Sequence, residues 1–336
     1  MRSGDLNQFL ADLTSFAREV RPHPPAGVDW EELAEVAERQ GLAAILSYQL
    51  DYRFLASVRP PPWLRERLLL SFNGLVNDNL LKVTQLRRWL SEEGVPPVVL
   101  LGGIALADTF YPHIAFRPLE EIDLWAQPSQ LAKLTAAMSE AGLSADPPGS
   151  RSPRSIAARF ANPDIDLQVW SRPPGLPLSE AMGQALWDRK LSAPVFGPAA
   201  HRLEPADAVC AHLAALAVVG FAVPRVRLID LREMVLRADA PAGSGEGFYT
   251  SNGVRLRWAD VLERSHALGL DRSLWTGLRL VAALFPSPSA QPDRLRPRLP
   301  ARVCALLEEA IVRPALNPHR TTVTRATHAL RRYLLR

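Results

Sequence analysis

The amino-acid sequence predicts an α+β fold, in which a small mixed β-sheet core is flanked by N- and C-terminal helical subdomains. Three observations support this prediction. Apolar residues recur at helical spacing through residues 5–92, short strand-like patterns occupy residues 95–200, and helical spacing returns from residue 203 onward. Strands grouped together between groups of helices are typical of this class. The predicted units are therefore residues 1–94, 95–200 and 201–336.

The first unit carries two strong helix signals. Asp29 followed by Glu32 matches a capping box, in which side chains at the start of a helix bond to free backbone N–H groups. A longer helical pattern runs from Val76 to Leu90 in steps of three and four residues. Gly94 is placed to end this helix before the first strand.

The middle unit contains three strand candidates. Val98 to Leu101 and Ile122 to Ala126 are short apolar runs, and Asp164 to Trp170 alternates with period two. A helix between the last two strands is expected to start at a Ser129 cap and to stop at Gly142. The polar, proline-rich residues 145–155 are expected to form a mobile flap.

Helices return in the last unit. Pro205 at a first helical position and Gly220 near the end frame one of them. Residues 238–247 and 286–300 are rich in small residues or proline and are interpreted as loops. The sequence shows no internal repeat.

The composition is that of an ordinary soluble globular protein, with 47% hydrophobic and 22% charged residues. No apolar run approaches the roughly 20 residues of a membrane span, and the N-terminus has no apolar signal core. A cytoplasmic location without membrane contact is therefore expected. Cys210 and Cys304 lie far apart, which favours two buried thiols over a disulfide or zinc site.

The C-terminal tail is the most basic part of a chain whose net charge is only +4. Six arginines and no acidic residue follow Ala310, at positions Arg313, Arg320, Arg325, Arg331, Arg332 and Arg336. Such a tail could contact RNA or another polyanion, but a solvated terminal helix whose arginines complement its dipole is the favoured interpretation.

The stretch from Val98 to Asp123 carries the chemistry. An apolar strand ends on Gly102 and Gly103, a short helix follows, and Glu121 and Asp123 alternate on the next strand. Glycines let a backbone approach phosphates closely, and helix N-termini favour anions. Side chains at i and i+2 of a strand point the same way, so both carboxylates can share one metal ion.

These residues resemble the nucleotidyltransferases of the DNA polymerase beta type. More narrowly, the chain is similar to a bacterial branch with a signature of KG followed by RPxxDIDL. The likeness extends to the N-terminal helices from Asp29 to Leu50, to the DIDLQVW strand, and to the C-terminal segments 203–220 and 258–270. No single motif is decisive, and the resemblance rests on the order and spacing of all five.

The resemblance implies a Mg²⁺ or Mn²⁺ site and a nucleoside triphosphate donor. Glu121 and Asp123 match the paired metal ligands, and Asp166 matches the third catalytic carboxylate. Gly102 and Gly103 match the phosphate-facing turn, which the nucleotide would contact. Arg117 matches the arginine of the RP element, a phosphate or acceptor clamp.

The chain departs from the family pattern at three positions around this site. Glu121 replaces the usual aspartate, Gly102 replaces the lysine of the KG element, and Gln168 stands where histidine is common. The longer Glu121 side chain moves its carboxylate, and Mg²⁺ tolerates little geometric error. A working enzyme and a non-catalytic relative both remain open.

Several residues keep a second interpretation. Asp164 shares a strand face with Asp166 and competes for the role of third carboxylate, although the family pattern favours Asp166. His212 lies in an apolar helix and is interpreted as a hydrogen-bonded core histidine rather than a base. Trp125 and Trp170 are expected to pack in the core, with base stacking as the alternative.

The leading functional hypothesis is metal-dependent transfer of a nucleoside monophosphate to a hydroxyl acceptor, with release of pyrophosphate. The acceptor could be a small molecule, a peptide or RNA. The alternatives are a binding or scaffold protein that no longer turns over, and a transferase using another activated donor such as a nucleotide sugar. The sequence contains no Walker-type phosphate loop, no GxGxxG fingerprint, no HExxH zinc helix and no GxSxG elbow.

Overall fold

The computed structural model describes residues 3–16, 20–111, 113–145, 156–162, 165–238, 255–285, 299–315, 330 and 333–335. Its architecture is a mixed sheet with helices packed on both faces, which confirms the predicted α+β class. The described helices number fourteen and alternate with the strands only in the middle of the chain. They are α1 Ser3–Leu13, α2 Trp30–Arg39, α3 Ala43–Tyr48, α4 Leu55–Val58, α5 Pro62–Trp89, α6 Gly102–Phe110, α7 Leu131–Glu140, α8 Glu180–Asp188, α9 Pro205–Val218, α10 Arg225–Arg237, α11 Trp258–Ala267, α12 Asp271–Leu284, α13 Ala301–Leu307 and α14 Arg313–Ala315.

Seven described strands form one sheet, in the order β3-β4-β5-β2-β1-β7-β6. The strands are β1 Val98–Leu101, β2 Ile122–Trp125, β3 Ser144–Ala145, β4 Ile156–Asn162, β5 Ile165–Trp170, β6 Leu191–Ser192 and β7 Ala200–Arg202. Strand β2 lies at the centre of this order, antiparallel to β1 and parallel to β5. The two strands predicted to carry carboxylates are therefore direct neighbours.

Most of the predicted elements are present within a residue or two. The Asp29 carboxylate accepts hydrogen bonds from the N–H groups of Glu31 and Glu32, at 3.0 and 3.1 Å, as a helix cap should. The predicted Ser129 cap was wrong. Ser129 lies inside a 3₁₀ turn, Pro128–Gln130, because proline at the first position starts the turn two residues earlier.

The two faces of the sheet pack against different layers. Apolar side chains such as Leu100, Leu124 and Leu167 pack on one face against α5 and α7. On the other face, Val99 and Trp125 pack against α8 and α9. The predicted site residues of β2 and β5 point to this second face, because they alternate with the residues buried on the first.

The N- and C-terminal helices share one hydrophobic core. Leu6 and Leu10 of α1 belong to the same buried cluster as Leu274 and Leu278 of α12. Polar contacts join the same regions, since the guanidinium of Arg232 on α10 donates to the backbone carbonyl of Thr14 at 2.6 Å. The N-terminal and C-terminal helices therefore pack as one unit, with a core separate from those on the two faces of the sheet.

The long helix α5 fixes the loop that leads into β2. The buried Asn79 amide donates to the carbonyls of Ile114 and Arg117, at 2.8 and 2.9 Å. Its oxygen accepts the N–H of Leu119, and Lys82 donates to the carbonyl of the same residue. These bonds set where Glu121 enters the sheet, because Glu121 follows two residues after Leu119.

Some predictions fall where little is described. The flap 145–155, apart from Ala145 in β3, lies outside the described residues, as do Asp164 and the tail arginines Arg320, Arg325, Arg331, Arg332 and Arg336. Arg313 is described, and it pairs with Glu309 at 2.6 Å. Both cysteines are free, as predicted, but only Cys210 is buried, whereas Cys304 is partly exposed. Burial raises the pKa of the Cys210 thiol to about 12. No helix in the described part of the chain has both the length and the apolar character to cross a bilayer.

Substitution of alanine for two helical glycines should change the stability of the protein in opposite directions. A Cβ at buried Gly277 on α12 would lie 2.7 Å from Leu231 and 2.9 Å from Leu213, so Gly277→Ala should destabilise the protein by about 1–3 kcal/mol through overpacking. At exposed Gly74 on α5 a Cβ meets nothing within 4 Å, and Gly74→Ala should add about 0.5–1 kcal/mol. Urea unfolding of both variants measures the difference, and equal effects would contradict this packing.

Candidate active site

The glycine turn after β1 lies directly against the carboxylate strand. Gly102 has a φ of 57°, and a Cβ there would stand 3.1 Å from an Asp123 carboxylate oxygen. A Cβ on Gly103 would stand 3.4 Å from the Arg117 guanidinium. The left-handed backbone and the close approach of Asp123 explain glycine at position 102, whereas a Cβ at position 103 would make an ordinary contact.

Parallel pairing of β2 and β5 brings the predicted carboxylates to one face. Asp123 is directly opposite Gln168, and Ile122 is opposite Leu167. One step earlier, Glu121 and Asp166 therefore approach each other on the same face. Asp123 is mostly buried, Glu121 lies at the strand entrance, and Asp166 is exposed.

Two side chains of β5 bond to the carboxylates of β2. Gln168 Nε2 donates to Glu121, and Trp170 Nε1 donates to Asp123 Oδ1 at 2.7 Å. Gln168 and Glu121, two of the positions at which the sequence was expected to differ from the resembled pattern, are therefore joined by a hydrogen bond.

The pKa values of Glu121 and Asp123 are both raised. Burial raises the pKa of Glu121 above its ordinary value, and the charges of Asp123 and Asp166 raise it further. Burial also raises the pKa of Asp123, with Asp166 adding to the effect, although the Trp170 hydrogen bond opposes it. Crowded negative charge of this kind attracts a cation.

The donor chemistry of this face suits a hard divalent cation, since Mg²⁺ prefers carboxylate oxygens. Glu121 and Asp123, at i and i+2, are the pair whose side chains share a direction. Among the described residues, however, no three carboxylate, histidine or cysteine groups stand close enough to hold one ion. A metal would have to compete with the Gln168 and Trp170 hydrogen bonds.

Arg117 lies beside the carboxylates but faces a buried partner. Its Nε donates to both oxygens of Asp230 on α10, at 3.2 and 3.0 Å, and Tyr111 donates to the same carboxylate at 2.6 Å. Asp230 is fully buried, and Arg117 is only 8% exposed. Arg117 therefore joins α10 to the loop before β2. Its contact with a phosphate or an acceptor stays a prediction.

A cavity of about 170 Å³ opens beside Glu121 and Asp123. Gly102 and Trp170 line it at the carboxylate end, and residues of α6 and α9 line the rest. Trp170 therefore contacts the cavity, whereas Trp125 packs edge-to-face on Trp187 as the core interpretation expects.

Two arginines that the sequence analysis did not single out face the carboxylates. Arg227 on α10 lines the cavity, and its charge lowers the pKa of both Glu121 and Asp123. Arg159 on β4 lies opposite Gln168 and acts in the same direction. Within the described residues the Nε of each is buried without a hydrogen-bond partner. Arg227 was not predicted from the sequence, because it lies far along the chain from the carboxylates and no local motif marks it.

His212 on α9 is a hydrogen-bonded core residue, as the sequence analysis favoured. Its Nε2 lies 2.8 Å from the carbonyl oxygen of Arg227, and burial lowers its pKa to about 4. The imidazole is therefore neutral at pH 7 and holds the backbone of Arg227 in place beside the cavity.

A model of the family described as uncharacterised nucleotidyltransferase matches residues 26–286, well over half of the chain. The protein belongs to this nucleotidyltransferase family. The matched region contains the helices α2 to α12 and the whole sheet. Searches of curated proteins and of solved structures gave no match.

The buried Arg117–Asp230 pair should be essential for stability. Asp230→Asn leaves a buried guanidinium without its counter-charge, which should cost about 3–5 kcal/mol in the free energy of unfolding. Glu35→Gln removes one partner of an exposed pair with Arg39 and should cost less than about 1 kcal/mol. Chemical denaturation of both variants tests this, and similar losses would contradict the assigned importance of the buried pair.

His212 should make the protein less stable in acid. Its folded-state pKa of about 4 lies below the ordinary value of 6.5, so the unfolded chain binds the proton more readily. This stability is present above pH 6.5 and is lost as the pH falls towards 4, by up to about 3 kcal/mol. His212→Gln should flatten the decline of unfolding free energy between pH 7 and pH 4. An unchanged slope would show that the imidazole is not held neutral.

Proposed function

We propose that the protein is a metal-dependent nucleotidyltransferase that moves a nucleoside monophosphate from a nucleoside triphosphate to an acceptor hydroxyl. The observation that carries this proposal is the crowding of Glu121, Asp123 and Asp166 on one face beside the Gly102 turn. Family membership supports nucleotidyl transfer in general. The metal, the donor and the assignment of these residues belong to the proposal.

Each residue has a role that its position supports. For Glu121, Asp123 and Asp166 to hold Mg²⁺ or Mn²⁺, the three carboxylates would have to move together and release the Gln168 and Trp170 hydrogen bonds. A metal bound there would orient the triphosphate and stabilise the departing pyrophosphate. The backbone at Gly102 and Gly103 would contact phosphate oxygens, and Gly102 lines the cavity beside the carboxylates. Arg227 and Arg159 supply positive charge near the carboxylates. This charge would replace that of the lysine which the resembled pattern has at the position of Gly102.

The transfer exchanges one phosphorus–oxygen bond for another. The acceptor oxygen forms a bond to the α-phosphorus, the bond from that phosphorus to the bridging oxygen breaks, and pyrophosphate leaves. The hydroxyl proton passes to the exposed Asp166 carboxylate and from there to water.

One observation favours a second candidate, a nucleotide-binding or scaffold protein without turnover. Gln168 and Trp170 already satisfy Glu121 and Asp123, and no three described groups are arranged around one ion. A protein of this kind would bind a nucleotide or partner whether or not magnesium is present.

Asp123→Asn should separate the two candidates. Calorimetric titration with ATP, GTP, CTP and UTP, each with and without Mg²⁺ or Mn²⁺, should show metal-dependent binding in the wild type. The variant should lose about 100-fold or more in affinity, because it loses a ligand charge at the centre of the site. Asp188→Asn, at an exposed position on α8, serves as the matched control and should bind like the wild type.

Retention of metal-dependent binding by Asp123→Asn would contradict the assigned site. Nucleotide binding that is indifferent to metal in both proteins would favour the binding or scaffold candidate over the transferase.

A further inference from the structure

The cavity beside the carboxylates continues into an apolar space between α6 and α9. Leu106 and Phe110 form its wall on α6, and Ala211, Ala215 and Val218 form its wall on α9. Glu121 and Asp123 close the other end. The cavity is therefore charged where transfer would occur and apolar beyond it.

The space exists because α9 carries alanine where it faces α6. Ala208, Ala211 and Ala215 follow at steps of three and four, so they share one face of the helix. All three line the cavity and are partly exposed, whereas Val209 and Leu213 on the opposite face are buried in the core. Larger side chains at these positions would fill the space.

The apolar end offers few free hydrogen-bonding groups among the described residues. The Thr109 hydroxyl donates to the carbonyl of Ala105 at 2.7 Å, and the Arg202 guanidinium donates to Asp108 at 3.3 Å. A nucleobase or a sugar placed here would lose hydrogen bonds to water without replacing them, which is unfavourable. An apolar group gains instead, because it leaves water for an apolar wall.

We propose that the acceptor is a hydroxyl compound carrying one compact apolar group, which this cavity binds while the hydroxyl faces Glu121 and Asp123. A cavity of about 150 Å³ lined by apolar side chains holds a benzene molecule. The volume here, about 170 Å³, therefore suits one aromatic ring or a branched alkyl group. This inference rests on the proposed transfer reaction for the orientation of the hydroxyl. It selects a small molecule or an apolar peptide side chain over RNA as acceptor.

Benzyl alcohol is a direct probe, since it joins one ring to one hydroxyl. Calorimetric titration should show saturable binding to the wild type, and Ala215→Leu should weaken it at least about tenfold by filling the space. Ala132→Leu adds the same atoms at an exposed position on α7 and should leave benzyl alcohol binding unchanged. Ala211→Leu, one turn away on α9, repeats the test should Ala215→Leu unfold, and thermal melting reports which variants are folded.

The same titrations include adenosine and ATP with Mg²⁺, so that the two proposals can fail separately. Unchanged ATP binding by Ala215→Leu, with benzyl alcohol binding lost, supports an acceptor pocket. Unchanged benzyl alcohol binding in the folded filled variants, or no binding to the wild type, overturns it. Loss of adenosine and ATP affinity on filling also overturns it, because the cavity would then hold the nucleobase. If neither the wild type nor any variant binds ATP, the transferase proposal is refuted. The benzyl alcohol titration would still decide whether the cavity binds apolar groups.

Discussion

The buried contact of Arg117 with Asp230 is the constraint on which the site depends. It ties α10 to the loop before β2, and Tyr111 at the end of α6 donates to the same carboxylate. A buried charge pair is costly to desolvate and holds only with good geometry and additional hydrogen bonds. Here three elements supply that geometry together, so the glycine turn, the carboxylate strand and Arg227 are held in fixed relation.

The carboxylates themselves are held by compensating changes. Glu121 reaches further than an aspartate would, and Gln168 donates a hydrogen bond that receives it. The positive charge missing at Gly102 is supplied from another direction, since Arg227 and Arg159 both face the pair. Taken one at a time in the sequence, Glu121, Gln168 and Gly102 are departures from the pattern that the resemblance led us to expect. In the structure Gln168 is hydrogen-bonded to Glu121, and Gly102 lies against Asp123.

The parts of the fold that follow from local patterns could be predicted. Strand β1 is a continuous apolar run before two glycines, and β5 alternates cleanly, so both were identified from the sequence. Strand β7, three residues long, and β4, which lacks alternation, were missed because neither carries a local apolar pattern, although β4 pairs with its sequence neighbour β5 and only β7 pairs with a distant strand, β1. Asp230 and Arg227 were missed for the same reason. Nothing near them in the chain distinguishes them from other charged residues of a helix.

The shared core of the two chain ends also bears on how the protein folds during synthesis. Asn7 of α1 accepts a hydrogen bond from Arg225, 218 residues later, and the apolar side chains of α1 have no other core of comparable size among the described residues. Contacts between such distant positions slow folding, because a long chain must close first. The N-terminal helices leave the ribosome long before α10 and α12 exist, and until then their apolar faces are exposed. This protein therefore completes its core only after the C-terminal helices are made, which is the interval in which a chaperone would bind it.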